Sequence, residues 1–311
     1  MSIEPGAQLR HELRTPLNHI IGYAELLLEE LEAGDQPELA AELASLRADA
    51  RQLLTLLNEV LARGQTGAPD LTAARGTLGP PLDRVRAAGE SLHRRAATAG
   101  ADARLADLNR IRAATVRLDD LLGGTARSAP DAAPAAPAGG AGDPTGPPRA
   151  VILVVDDNED NRDMLARRLR RQSYDVQTAA GGRAALAALA ESPVDLVLLD
   201  VMMPDLDGYA VLQQLKADPT LRDIPVLMIS ALDEMDSVVR CIQLGAEDYL
   251  GKPFDPVLLQ ARIGACLEKK RLRDAVRASL QRLEQDVIDA VFVSFQQAAN
   301  LQRRMLAQMC H

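Results

Sequence analysis

The sequence predicts a multidomain protein: an N-terminal all-α four-helix bundle of tandem helical hairpins, an α/β doubly wound domain on a five-stranded parallel sheet, and a long C-terminal helix or coiled coil. Three observations carry this reading. Before residue 123, leucines recur at steps of three and four. Residues 123–148 hold six prolines and six glycines among many alanines, which marks a flexible, partly extended linker. After it, short branched apolar runs alternate with helical stretches. The expected units are hairpins at 1–64 and 70–122, the linker at 123–148, the α/β domain at 149–268 and the C-terminal helix at 269–311.

A chain of 311 residues with 47% hydrophobic content is ample for two or three cores. Its formal charge of −9 and lack of basic runs exclude nucleic acid as a principal ligand. Cys241, Cys266 and Cys310 show neither disulfide-framework nor zinc spacing. No apolar stretch approaches the roughly 20 residues of a membrane helix, and the N-terminus lacks the basic and apolar regions of a signal peptide. A soluble, cytoplasmic protein without a membrane partner is expected.

In the first hairpin, Leu9, Leu13, Leu17, Ile20, Ala24, Leu27 and Leu31 form one stripe. Leu39, Leu43, Leu46, Ala50, Leu53, Leu57 and Val60 form the next, across a Gly34-Asp35-Gln36-Pro37 break. Two helices alone bury too little, so a partner hairpin is needed. The chain supplies one at an offset of 65 residues: Arg10, Leu13, Pro16, Leu17, Glu25 and Leu27 match Arg75, Leu78, Pro81, Leu82, Glu90 and Leu92. Leu43, Arg47, Leu53 and Leu57 likewise match Leu108, Arg112, Leu118 and Leu122, an ungapped internal duplication. Glu29 and Glu30 face Arg94 and Arg95 in the alignment, a charge inversion that favours pairing one copy with the other.

Strands are predicted at 151–155, 176–178, 196–199, 226–229 and 248–250, with helices near 160–171, 182–191, 208–217 and 234–244. A last helix starts near Asp255. Continuous apolar strands separated by helices specify a parallel sheet covered on both faces. No Gly or Pro interrupts residues 265–311, and Leu272, Val276, Leu280, Leu283, Val287, Ala290, Ser294, Leu301 and Met305 make an imperfect heptad pattern. A homodimeric parallel coiled coil is expected, the alternative being a helix folded back onto its own domain.

Ligands of such sheets gather at the carboxyl ends of the strands. There the sequence puts Asp156 and Asp157 after the first strand, Asp200 at the third, Ser230 at the fourth and Lys252 after the fifth. Three crowded carboxylates call for a hard cation, and Mg²⁺ suits oxygen ligands. With it bound, Asp200 can attack phosphorus while Lys252 neutralises charge. Only four lysines occur among the 35 basic residues, so a lysine at this point indicates that a compact ammonium is wanted.

Val-Val-Asp-Asp-Asn, Leu-Leu-Asp-Val-Met-Met-Pro-Asp-Leu-Asp-Gly, Ile-Ser-Ala and Tyr-Leu-Gly-Lys-Pro-Phe resemble response-regulator receiver domains of the CheY-like kind over residues 150–268. The resemblance implies phosphorylation of Asp200, with Mg²⁺ held by Asp156, Asp157, Asp200 and the Met202 carbonyl. It further implies Ser230 on the phosphoryl oxygen, Tyr249 as an inward-swinging switch, and a cis peptide at Lys252-Pro253.

On the first helix, His11 lies about 160° from the centre of the apolar stripe at 100° per residue and should face solvent. A neutral imidazole there is a competent nucleophile, with Glu12 able to accept a proton, Thr15 one turn on, and Pro16 loosening the helix. His-Glu-Leu-Arg-Thr-Pro-Leu-Asn and Ile-Ile-Gly-Tyr-Ala-Glu-Leu-Leu resemble the dimerisation and phosphotransfer domain of histidine kinases, over residues 8–63. That implies a phosphoryl site at His11, assistance by Glu12, and a Glu-x-x-Thr phosphatase signature in Glu12 and Thr15. The family's ATP-binding motifs are absent, so an autonomous kinase is not expected. In the second copy Gly76, Thr77 and Pro80 replace His11, Glu12 and Thr15, leaving it catalytically blank.

The expected function is phosphorelay signalling. The receiver would accept a phosphoryl group from a histidine kinase or phosphotransfer protein and switch the C-terminal helix toward an output domain or effector, with the output itself beyond His311. One alternative is a phosphotransferase or aspartyl-phosphate phosphatase acting between His11 and Asp200. The other is a non-catalytic adaptor that docks a separate histidine kinase.

Overall fold

The computed structural model describes residues 5–31, 36–63, 71–99, 102–123, 149–230 and 235–309; the expected linker lies outside them apart from Gly123. Helices α1 (Pro5–Glu30), α2 (Pro37–Arg63), α3 (Leu71–Ala99) and α4 (Asp102–Gly123) form one bundle within a single chain. In it α1 and α3 each pack between α2 and α4. The 65-residue offset is visible in the core. Leu13, Leu17, Ile20 and Leu27 are buried in α1, and Leu78, Leu82, Val85 and Leu92 are buried 65 residues on. Leu43, Leu46, Leu53 and Leu57 of α2 repeat as buried Leu108, Ile111, Leu118 and Leu122 of α4. Each hairpin covers the stripe that the other would leave wet.

Pro16 lies inside α1, which runs through to Glu30. The two copies pair, but not through the charges that the sequence sets opposite each other: Glu29 and Glu30 do not meet Arg94 and Arg95. The neighbours of α1 are α2 and α4, so the first helices of the two copies do not pair side by side. Glu29 and Glu30 bond Arg168 and Arg167 instead, and Arg95 turns to Glu38 and Glu42 of α2.

The second half is a five-stranded parallel sheet in the order β2-β1-β3-β4-β5. Its strands are β1 (Val151–Val155), β2 (Asp175–Ala179), β3 (Leu196–Asp200), β4 (Val226–Ser230) and β5 (Asp248–Gly251). Between them run α5 (Glu159–Arg171), α6 (Gly182–Glu191), α7 (Gly208–Ala217) and α8 (Met235–Gln243). The period of two along β1 sends Leu153 and Val155 into one core and Ile152 and Val154 into the other. The chain leaves β1 toward β2 and returns beyond it to β3, so the β1–β3 crevice is the switch point where loops part. Asn158 opens α5 there by accepting from the Asn161 amide, and Asp207 caps α7 in the same way. Gly208 is obligatory: a Cβ on it would stand 2.2 Å from the Asp200 carbonyl oxygen.

Helix α9 (Pro256–Met309) begins on this domain, burying Leu259, Ile263, Cys266 and Leu267. It then leaves, since every described residue from Arg271 to Phe292 is exposed. It does not fold back on its own domain in this stretch. Arg273–Glu247 at 3.2 Å and Arg277–Asp223 at 2.7 Å set its departure. Leu272, Val276, Leu280, Leu283 and Val287, each more than half exposed, form one apolar stripe on it. Among the described residues no helix is long and apolar enough to cross a membrane.

The two halves meet where α5 lies against α1 and α4. Met164 of α5 joins the bundle core, and Gly22 of α1 makes room for it: a Cβ there would fall 2.0 Å from the Met164 sulfur. Around this contact, Arg167 reaches Asp107 at 2.7 Å and Glu30 at 2.8 Å, and Arg110 reaches Asp163 at 2.6 Å. Arg168, only 2% exposed, reaches Glu29 at 2.9 Å. Because a methionine end can step aside, Gly22→Ala should leave the halves docked, whereas Gly22→Leu should separate them. Small-angle scattering should show a larger radius of gyration for Gly22→Leu alone, with the far-ultraviolet helix signal kept.

Candidate functional site

The carboxyl edge of the sheet gathers side chains from four loops. Among the described residues, Asp156, Asp157 and Asp200 offer carboxylate oxygens all within 4.8 Å of one another, with Asp156 and Asp200 buried and Asp157 exposed. Lys252 bridges the buried pair, its Nζ 2.6 Å from Asp156 and 3.1 Å from Asp200. The loop that presents it carries a cis peptide at Lys252-Pro253. Ser230 is fully buried at the end of β4, where its carbonyl accepts from the Lys252 amide at 2.6 Å. Met202 follows Asp200 after β3, and Tyr249 of β5 is half-buried.

Carboxylates crowd here: the Lys252 ammonium lies between the buried pair, Asp156 and Asp200, with the exposed Asp157 beside them. Burial, reinforced by Asp156 and Asp157 and opposed by Lys252, pushes the Asp200 carboxyl up to about 7. Burial also works against the Lys252 ammonium, but Asp200 and Asp156 outweigh it and hold the amine well above its ordinary range. Hard oxygen donors in close spacing and clustered negative charge fit a divalent cation such as Mg²⁺.

The helix of the histidine box runs past this pocket. The His11 side chain lies outside the described residues; on the same helix Glu12 is exposed and Thr15 half-buried. Further along α1, and unforeseen from sequence, His19 is 2% exposed, with its Nε2 3.1 Å from Oδ1 of Asn161. The Asn161 amide nitrogen stands 3.1 Å from both oxygens of Asp156. A side-chain path therefore leads from the bundle to the acidic cluster. Beside it the Tyr23 hydroxyl donates to Asp160 at 3.2 Å, and Arg110 stacks on the ring at 5.3 Å. Asn18, Gly22, Asn161, Met164, Lys252 and Phe254 line a small cavity between the halves. The sequence offered one hint of this face: His19 and Tyr23 lie four apart on α1, among Leu17, Ile20, Ile21 and Ala24.

Residues 152–264 match the family model described as the response regulator receiver domain, and residues 7–68 match that of the His Kinase A (phospho-acceptor) domain. The chain is 45% identical over 128 residues to the response regulator PleD of Caulobacter vibrioides, a match covering 41% of this chain and 28% of that protein. It is 42% identical over 124 residues to the probable transcriptional regulator ycf27 of Cyanidium caldarium, covering 40% of this chain and 49% of the other. Among solved structures, the signal receiver domain of a signal transduction histidine kinase from Syntrophus aciditrophicus is similar at 34% identity. That match covers 39% of this chain and 91% of the other, with a TM-score of 0.37. The chain thus spans between about a quarter and a half of the length of these curated relatives.

The burial of His19 makes docking sensitive to acid. Removal from water depresses its pKa below 6.5, as do Arg117 and Lys252, against the pull of Asp160 and Asp156. Freed from the interface, the imidazole regains its ordinary pKa. The contribution of neutral His19 to docking is thus present in full above about pH 6.5 and is lost as pH falls through the lower docked value. Scattering between pH 7.5 and 5 should show the chain opening toward acid, and His19→Phe should flatten that dependence.

Proposed function

We propose that this chain, whose residues 7–68 match the His Kinase A (phospho-acceptor) domain and 152–264 the response regulator receiver domain, is a two-component signalling protein with Asp200 as its phosphoryl acceptor. The observation that carries the reading is the cluster of Asp156, Asp157 and Asp200 with Lys252 bridging its buried pair. Asp156, Asp157, Asp200 and the Met202 carbonyl would hold Mg²⁺, which when bound supplies positive charge against the phosphoryl oxygens. An Asp200 carboxylate oxygen bonds to phosphorus as the bond to the donor's leaving group breaks, giving an aspartyl phosphate. The Lys252 ammonium lies within reach of that oxygen and offsets the charge brought in. Ser230 then donates to a phosphoryl oxygen and Tyr249 moves inward, repacking the face on which α9 begins.

The output of that switch is α9. Its apolar stripe from Leu272 to Val287, open to solvent in one chain, supports a homodimer through parallel helices whose register carries the signal to an output domain or effector. The kinase or phosphotransfer protein that loads Asp200 is the second partner.

A second reading has α1 act on the receiver it touches, either passing phosphoryl groups between His11 and Asp200 or hydrolysing the aspartyl phosphate with Glu12 and Thr15. The contact of the histidine-box helix with α5 and the pocket rim favours it over a purely passive adaptor for a separate kinase.

Incubation with a small phosphodonor such as acetyl phosphate and Mg²⁺ should add one phosphoryl mass to the protein. Asp200→Asn or removal of Mg²⁺ with a chelator should abolish the addition. Persistence of the adduct in Asp200→Asn would overturn the first reading. For the second, the adduct should outlive that of the wild type severalfold in His11→Ala and Thr15→Ala; equal lifetimes with no label on histidine leave only the adaptor role.

A further inference from the structure

The donors around Asp156 are arranged in a way that bears on when the pocket can accept a cation. A carboxylate has about four in-plane directions for accepting hydrogen bonds. On Asp156 all of them are engaged. Oδ1 accepts from the Asn158 amide at 2.9 Å and from the Asn161 side chain at 3.1 Å. Oδ2 accepts from Lys252 at 2.6 Å and from the same Asn161 nitrogen at 3.1 Å. A cation ligated by Asp156 needs one of these directions freed. The Asn158 amide is held by the start of α5, and Lys252 is held by Asp200 as well. The Asn161 side chain is the donor that rotation about its own bonds can withdraw. Its far end is tied, however, because its Oδ1 stands 3.1 Å from Nε2 of His19, on the other half of the protein.

We propose that Asn161, pinned by His19, couples docking of the bundle to cation occupancy of the aspartate pocket: the docked bundle locks the amide onto Asp156 and disfavours Mg²⁺, and Mg²⁺ in turn disfavours the docked state. Both directions follow from one coupling free energy, since linkage is reciprocal. The docked chain is then a resting form with a poorly loaded receiver, and release of the bundle, over a linker long enough to allow it, admits the metal that phosphoryl transfer needs.

The duplication gives the lock its single address. At the positions of Asn18, His19, Ile21, Gly22 and Tyr23, the second copy carries Asp83, Arg84, Arg86, Ala87 and Ala88. Arg84 is committed to Asp49 at 2.8 Å and Gln52 at 3.0 Å, and Arg95, the counterpart of Glu30, to Glu38 at 3.1 Å. The α2–α3 face is therefore closed by its own ion pairs, while the α1–α4 face presents the histidine, the glycine notch and the acids that take Arg167 and Arg168.

The inference rests on the pocket being a Mg²⁺ site, and calorimetric Mg²⁺ titration of full-length variants separates the two claims. Two undocking changes work by different means: Gly22→Leu through bulk, and Glu29→Arg with Glu30→Arg through the charges that the second copy carries. Both should bind Mg²⁺ about 5- to 150-fold more tightly than the wild type, the range of ordinary allosteric coupling. Asn161→Ala alone should bind as tightly as they do, and adding Gly22→Leu to it should change the affinity no further. Scattering should show the wild type opening as Mg²⁺ is added. Equal affinities in wild type and both undocked variants overturn the coupling. An effect of Gly22→Leu that is as large in the Asn161→Ala background overturns the role of Asn161. Absence of Mg²⁺ binding in every variant overturns the pocket reading and the lock together.

Discussion

Three carboxylates held at the edge of a parallel sheet with one ammonium between them form the constraint on which the rest of this molecule turns. The strands deliver them there because β1 and β3 end side by side at the point where the chain changes direction. Burial is what chiefly pushes the Asp200 carboxyl up, to about 7, with the neighbouring Asp156 and Asp157 adding to it and Lys252 opposing it. Everything close by answers that charge: Lys252 spans the buried pair, the Asn158 and Asn161 donors engage Asp156, and Gly208 lets the following helix approach the Asp200 backbone.

The helical half answers a different problem, that of burying four leucine stripes in one chain. Duplication solves it, because a stripe that suits one hairpin suits its copy, and the same eight core positions are buried twice. Outside the core the copies have diverged in charge and size. The contrast between Gly22 with Ile21 and Ala87 with Arg86 shows how a symmetric scaffold becomes one-sided: the core keeps the repeat, and the surface of one copy alone is shaped to receive α5.

Much of this was legible in the residues. The strands were foreseen within a residue or two of their observed ends, since buried parallel strands are short apolar runs bounded by turns. The cluster of Asp156, Asp157, Asp200 and Lys252 was foreseen because residues at successive strand ends converge whatever the helices between them do. His19, Asn161 and Arg168 were not singled out. Nothing local marks Asn161, or Arg168 as one arginine among several in α5, and His19 shows only as a polar interruption in α1. Their significance lies in partners 142 and 139 positions away.

By itself, then, the chain's order of residues determined the elements, the parallel sheet, the duplicated hairpins and the acidic pocket, because periodicity, strand ends and repeats are written along the chain. Tertiary structure alone decided that the two hairpins close on each other within one molecule, that Glu29 and Glu30 turn to the receiver rather than to Arg94 and Arg95, and that α9 departs into solvent. It also decided that His19 reaches Asp156 through Asn161. The physical reason is that such contacts depend on which faces are left over once the cores are filled, and a surface charge or a buried histidine carries no periodic signal of the partner it will meet.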